Sequence, residues 1–472
     1  MAGIDLYNAE TSTRPAIQFT HLSVVALKDF PAFMTAIHPP LSPSQLAAES
    51  EPLHICLLGY RSHPHVGGQG IYLYHLSRAL VDLGHEVDVI SGPPYPELDS
   101  RVGLIKLPSL DLYAHPNPHR ALRWHHLKSY TDVFEWWSKM SGGFAEPYTF
   151  GRRLVNYFRR HGCRYHLVHD NQSLCYGLLQ LQRQGIPLVA TVHHPITRDR
   201  DLALAAAPSR SHRWLVRRWY SFLHMQARVV RELRHIVTVS ETSRTDIAQA
   251  FGRPLEAVAV IPNGVDTRVF KPLPDVERRP WRLITTASSD QPLKGLASLL
   301  QALAELRQSW PQLHLRVIGQ LKPGGETEKQ LQQLNLGETV SFVSGLSQQQ
   351  LVEEYAKASI AVVPSLYEGF GLPAAEAMAC GLPLVCSDGG ALPEVTAQGA
   401  LSFRAGDVAD LTRALKQLLE QPVLAEQLAK AGLARVEALF SWDGVARQWV
   451  DYYRRELLAS RESAPELANA HS

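Results

Sequence analysis

Apolar positions along the chain fall into two alternating kinds of block. Short dense runs recur at Leu53 to Gly59, Glu86 to Ser91, Tyr165 to Asp170, Ile186 to Pro195 and His235 to Ser240. They resume at Trp281 to Ala287, Leu313 to Gly319, Thr339 to Gly345, Ala358 to Val363 and Pro383 to Gly390. Such runs fit strands of a parallel sheet, buried on both faces by flanking helices. Between them the spacing turns helical. Leu73, Leu76, Leu80 and Leu83 share one helix face that stops at Gly84, and a further helix is expected over Leu296 to Gln308. Alternation of this kind predicts an α/β fold. Strand, Gly67-Gly68-Gln69-Gly70, helix, strand is a Rossmann-like unit.

The chain has 472 residues, too many for one core, so two or three domains are expected. Pro272, Pro274 and Pro280 read as a stiff linker and hinge. Residues 1–50, with Pro39, Pro40, Ser42, Pro43 and Ser44, read as a peripheral N-terminal extension. Trp442 to Leu458 reads as a final helix.

Charge narrows the classes. A net charge of +2 with 19% charged residues gives no reason to expect nucleic acid as a partner. Five scattered cysteines, at 56, 163, 175, 380 and 386, are expected to be reduced core residues of a cytosolic protein. No apolar run approaches the roughly 20 residues of a membrane span, and no signal peptide is evident. Residues 209–235 carry seven arginines against one glutamate, with Trp214, Trp219, Tyr220 and Phe222 interleaved. They read as a basic, aromatic helix that packs one face on its domain, with peripheral contact to an anionic membrane as the alternative.

The most informative stretch is Ser365 to Glu376, Ser-Leu-Tyr-Glu-Gly-Phe-Gly-Leu-Pro-Ala-Ala-Glu. It follows a buried strand, and Pro373 suits the first turn of a helix running to about Cys380. No Ser, Thr, Asp or Asn stands just before Pro373 to cap that helix. The first N–H groups, at Gly371 to Ala374, are therefore expected to be free for a phosphate. Glu368 and Glu376 flank the seat, and carboxylates accept paired hydrogen bonds from sugar hydroxyls. The stretch suits a sugar nucleotide, with its diphosphate on the helix and a sugar at either end.

Glu-Gly-Phe-Gly-Leu-Pro…Glu, with seven residues between the glutamates, resembles the signature of retaining GT-B glycosyltransferases of family 4. The resemblance extends over about residues 53–458. It implies two Rossmann-like domains facing a cleft: an acceptor domain at 51–271, completed by a helix at 441–460, and a nucleotide-sugar domain at 280–440. It implies transfer of a hexosyl group from a nucleoside-diphosphate sugar to the hydroxyl of a carbohydrate or lipid-linked acceptor, with retention. The sugar nucleotide is a co-substrate, and no cofactor is implied.

The resemblance also assigns residues. Glu368 contacts the transferred sugar and Glu376 the ribose, and Gly369, Phe370, Gly371 and Leu372 form the donor loop. Lys294 clamps the diphosphate, and Ser288 stands where the family has a second cation, an arginine. Gly67 and Gly68 lie near the donor phosphates. His169 falls where the family has an active-site histidine, and His193 matches a histidine at the following strand end and is assigned to the acceptor side. The aromatic segment 108–150, with Trp136 and Trp137, is assigned to the acceptor mouth, since aromatic faces stack on carbohydrate. Asp199-Arg200-Asp201 reads as a solvated loop, and metal-independent activity is expected. A cytoplasmic enzyme, at most at the inner face of a membrane, follows. A nucleotide-sugar epimerase or sugar phosphorylase of the same architecture stays open, as does a non-catalytic sugar-nucleotide-binding protein, which Ser288 suggests.

Overall fold

A computed structural model describes residues 51–64, 68–205 and 207–458. The expected extension at 1–50, Gly67, and the last residues of the 441–460 helix lie outside the described residues.

Two all-parallel sheets make up the molecule. The first contains β1 (His54–Gly59), β2 (Glu86–Ser91), β3 (Gly103–Lys106), β4 (Leu167–Asn171), β5 (Leu188–Val192), β6 (His235–Thr238) and β7 (Val258–Val260). Their order is β3-β2-β1-β4-β5-β6-β7. The second contains β8 (Arg282–Thr286), β9 (His314–Ile318), β10 (Val340–Val343), β11 (Ile360–Val363), β12 (Leu384–Ser387) and β13 (Leu401–Phe403), in the order β10-β9-β8-β11-β12-β13. Both orders reverse direction once, between β1 and β4 and between β8 and β11. Open α/β sheets bind ligands outside the strand carboxyl ends at that reversal. The loops after β1, β4, β8 and β11 are thus placed to form the crevice.

The apolar runs read from the sequence are the central strands, each buried along most of its length. Strands β3, β7 and β13 were not anticipated. They have four, three and three residues and are partly exposed, too short to show a period.

The helix Trp442–Tyr452 returns from the second domain and packs on the first. Trp442, Val445, Trp449 and Tyr453 are buried with Leu57, Leu73, Leu76 and Val89 in one cluster. Each large side chain buried in this way contributes on the order of 2–3 kcal/mol. Val265 pairs with Ser441 where the outgoing and returning chains run side by side. The proline linker is pinned to the second domain, with Arg278 Nη2 donating to the Gly381 carbonyl at 2.6 Å and Arg279 N–H to the Lys357 carbonyl at 2.9 Å.

Two local expectations need correction. Asp199-Arg200-Asp201 lies in a helix, Thr197–Ala205, not in a loop. Residues 209–235 form two helices, Arg210–Trp219 and Leu223–Glu232, broken by a tight turn at Tyr220–Phe222.

Candidate functional site

The loop after β11 leads into the helix Leu372–Ala379, and no side chain among the described residues caps that helix. Gly371, the residue before it, has φ +95°, which glycine adopts without strain. A Cβ there would also meet Leu392 Cδ2 at 2.5 Å. The N–H groups of Gly369, Phe370, Gly371 and Leu372 find no acceptor among the described residues. The Ala374 N–H donates to the Gly371 carbonyl at 3.0 Å, so the free set begins two residues earlier than expected. The Phe370 ring is buried against Phe440, which leaves its N–H as the group it presents. Four unengaged donors at a helix start form an anion seat.

The loop after β8 meets this seat. A turn at Pro292–Lys294 ends on Gly295, where a Cβ would fall 1.9 Å from the Pro364 carbonyl oxygen. The two loops are joined by the Leu366 N–H, which donates to the Leu293 carbonyl at 2.7 Å. That close approach brings Lys294 Nζ to 2.7 Å from Glu368 Oε1. Ser365 Oγ donates to the same oxygen at 2.7 Å. Glu368 is 12% exposed and Lys294 32%, so the pair lines the crevice without being sealed from it. Ser288 is exposed, and its hydroxyl has no partner among the described residues.

Glu376 lies one turn into the helix. The Tyr355 hydroxyl donates to its Oε2 at 3.5 Å and lies 3.1 Å from Thr286 Oγ1. Burial pushes the Glu376 carboxyl up to about 7, against the pull of the Tyr355 hydrogen bond.

The opposite wall comes from the first domain. His193 follows β5 and presents its edge to Tyr72 at a ring separation of 4.8 Å. Its Nε2 donates to Asn171 Oδ1 at 2.7 Å, and Asn171 Nδ2 donates to the Gln69 carbonyl at 3.0 Å. Burial holds the His193 ring down to about 3, so it is neutral and its Nδ1 is an acceptor. The Gln172 side chain clamps the peptide around it, accepting from His193 N–H at 2.7 Å and donating to the His194 carbonyl at 2.9 Å. The half-exposed His194 is pushed below the usual histidine range by the surrounding protein and feels the charges of Asp199, Glu368 and Lys294.

His169 is not at the crevice. It sits inside β4, 1% exposed, opposite Leu57. Its two ring nitrogens bond the Tyr453 and Thr191 hydroxyls at 2.6 Å each, and its ring lies 4.3 Å from that of Trp449. The strand continues two residues beyond His169, and the crossing helix covers it. The carboxyl-end position expected for His169 belongs to Asn171, and His193 is the histidine that faces the crevice.

Trp136 turns inward, its Nε1 donating to the Pro118 carbonyl at 3.2 Å, while Trp137 is 53% exposed beneath the Arg218 guanidinium. Neither contacts the donor loop. Their segment borders the loop after β1 through Arg61, which pairs with Glu146 at 3.1 Å and lies over Tyr113. Burial pushes Glu146 up to about 7. Gly68 begins the helix Gly68–Asp82 and is exposed.

Sequence reasoning gave no site role to Tyr355, Ser240, Ser243 or Glu394. Ser240 carried one signal, since it stands as a helix cap before Glu241. Its partner on the other domain has no sequence signature. Among the described residues no group of three or more His, Cys, Asp or Glu is arranged to hold a metal ion. No helix among them is long and apolar enough to cross a membrane.

Comparison with known proteins agrees with this geometry. Residues 66–269 match the model for Glycosyltransferase Family 4, and residues 278–435 match that for Glycosyl transferases group 1. The MMP alpha-(1->4)-mannosyltransferase of Mycolicibacterium hassiacum is 46% identical over 413 residues, covering 86% of this chain and 98% of the relative. The sucrose-phosphate synthase of Thermosynechococcus elongatus superposes with TM-score 0.65 at 25% identity, over 86% of this chain and 100% of that one. HepE of Anabaena, solved with UDP-glucose, superposes with TM-score 0.59 at 17% identity, over 84% and 98%. The paired Rossmann-like sheets, the free amides at Gly369–Leu372 and these matches converge: the chain belongs to glycosyltransferase family 4 and is a hexosyltransferase of the GT-B fold.

Proposed function

We propose that this enzyme transfers a mannosyl group from a nucleoside-diphosphate mannose to a carbohydrate hydroxyl, with retention, to give an α-linkage. The 46% identical relative, matched over 98% of its length, is named an α-(1→4)-mannosyltransferase. An α-product from an α-linked sugar nucleotide is retention.

The observation that carries the mechanism is the Lys294–Glu368 pair beside the free amides. In this reading the β-phosphate lies on the N–H groups of Gly369 to Leu372, and Lys294 meets its charge as the bond to the anomeric carbon stretches. The bond from the anomeric carbon to the β-phosphate oxygen breaks, and one from the acceptor oxygen forms on the same face. The acceptor proton passes to the departing phosphate oxygen. Glu368 orients the sugar hydroxyls, and Glu376 accepts from the ribose. His193 Nδ1 accepts from a donor-sugar hydroxyl, the role expected of His169. Ser288 offers a hydroxyl where the second cation would stand. No step draws on a metal. A cytoplasmic setting accords with five unpaired cysteines.

The test is a panel of nucleoside-diphosphate sugars read by released nucleoside diphosphate, with and without sugar acceptors, and NMR of the product anomer. Acceptor-dependent release with a mannose donor and an α-product supports the reading. Acceptor-independent conversion of the donor points to the epimerase. Product from a sugar 1-phosphate points to the phosphorylase. Binding without turnover points to a non-catalytic partner.

A second reading concerns the acceptor. The helix Arg210–Trp219 buries only Val216, while Arg210, Arg213, Trp214 and Arg217 face out. That face favours a lipid-linked acceptor at an anionic surface. Flotation with anionic vesicles supports it, and flotation equal to that with neutral vesicles removes it.

A further inference from the structure

The helix Glu241–Phe251 belongs to the first domain, yet its start is knit to a loop and a short helix of the second. Ser240 Oγ donates to the Gly369 carbonyl at 2.6 Å while accepting from Ser243 N–H at 3.0 Å. Ser243 Oγ lies 3.0 Å from the same carbonyl oxygen and 3.1 Å from the His193 carbonyl. Both serines are buried, at 2% and 0% exposure. The approach is close at Gly369, where a Cβ would lie 3.3 Å from the His193 carbonyl oxygen. From the second domain, Glu394 accepts from the N–H groups of Glu241 and Thr242 at 2.9 and 3.1 Å. On the outer side the Tyr367 hydroxyl donates to Asp246, and Arg198 stacks on the Tyr367 ring at 4.0 Å.

The Gly369 carbonyl and the Phe370 N–H belong to one planar trans peptide and point in opposite directions. Holding the oxygen on the first domain therefore aims the N–H the other way, into the anion seat. We propose that Ser240 and Ser243 are positioning residues that couple domain closure to the donor loop. The Phe370 N–H is aimed at the donor diphosphate only while the two hydroxyls hold the Gly369 carbonyl. Glu394 sets the distance at which they do so. A parted cleft then has an incomplete seat, which limits phosphate departure before closure has excluded water. This inference rests on the reading of the loop as a sugar-nucleotide seat.

The experiment compares wild type with Ser243→Ala, Ser240→Asp, Ser240→Thr and Glu394→Gln. Aspartate keeps the acceptor that caps the helix but has no proton to donate, whereas threonine keeps both functions. Calorimetry with UDP and GDP reads binding, and the donor panel reads kcat and KM. Ser243→Ala and Ser240→Asp are expected to lower kcat by roughly tenfold or more, beyond any rise in KM, as for a loss felt mainly in the transition state. Ser240→Thr is expected to restore kcat, and Glu394→Gln to raise the ratio of donor hydrolysis to transfer. Wild-type binding and turnover that all the variants retain within about twofold, below the effect of one lost hydrogen bond, would overturn the inference alone. Failure of wild type to bind either nucleotide would overturn the seat and the inference together.

Discussion

Lys294 Nζ lies 2.7 Å from Glu368 Oε1, although 74 residues separate them. The contact exists because β8 and β11 are neighbours across the reversal of strand order, so the loops leaving them must meet. In the proposed mechanism one group supplies positive charge where a phosphate departs, and the other an acceptor where a sugar sits. Each orders the other in the crevice.

Removing the cation should cost transition-state stabilisation. A charge-assisted hydrogen bond contributes about 1.5–3 kcal/mol, so Lys294→Met should lower kcat/KM by roughly 10- to 150-fold. Steady-state kinetics on the donor checks this. Glu368→Gln should lower kcat with nucleoside-diphosphate affinity kept, because the carboxylate addresses the sugar.

In the proposed function Glu376 makes donor binding depend on pH. Burial raises its carboxyl to about 7, and the proposed contact to the ribose is made by the ionised form. Affinity for UDP or GDP should climb as pH rises through about 7, and Glu376→Gln should flatten that rise in calorimetry. The stability effect has the opposite sign. A carboxyl raised in the fold adds stability below its unfolded value, and this is lost as pH rises through the folded value. Glu376→Gln should therefore raise the thermal midpoint at pH 8 more than at pH 4. Tyr355→Phe should weaken nucleotide binding by removing the donor that orients Glu376.

The two histidines should separate cleanly. His169→Ala leaves the Tyr453 and Thr191 hydroxyls without their partner beneath the crossing helix. Unsatisfied buried groups of this kind cost about 1–3 kcal/mol each. Thermal denaturation should show that loss, while kcat of the folded enzyme stays near wild type. His193→Ala should do the reverse, lowering kcat with little change in thermal midpoint.

Gly371 is constrained twice, by φ +95° and by Leu392. Gly371→Ala should destabilise by about 1–3 kcal/mol, the usual cost of a non-glycine residue held at such an angle. It should also turn the free N–H groups away from the crevice, so calorimetry should show weakened nucleotide binding.

Legibility in the sequence differs from residue to residue. The strands, the uncapped helix after Gly371, and the flanking Glu368 and Glu376 were readable because each rests on local rules: apolar runs, capping preference, and the phase of a single loop. Lys294 was readable only through the resemblance of its loop, which ends at Gly295. His169 was misplaced by two residues along a strand. At that scale a side chain changes from crevice wall to buried core, and only the crossing helix, nearly three hundred residues later, decides which.

The sequence by itself determined that backbone donors at this helix start would be left unpaired and which acidic side chains would flank them, since those outcomes depend on a few neighbouring residues. Tertiary structure alone decided what lies opposite them. Ser240 and Ser243 on the Gly369 carbonyl, Glu394 on the amides of Glu241 and Thr242, and Tyr355 on Glu376 join segments that periodicity cannot relate. The reason is physical: a hydrogen bond across a cleft depends on how two separately packed cores dock, and that docking is the sum of many contacts that no short window of residues contains.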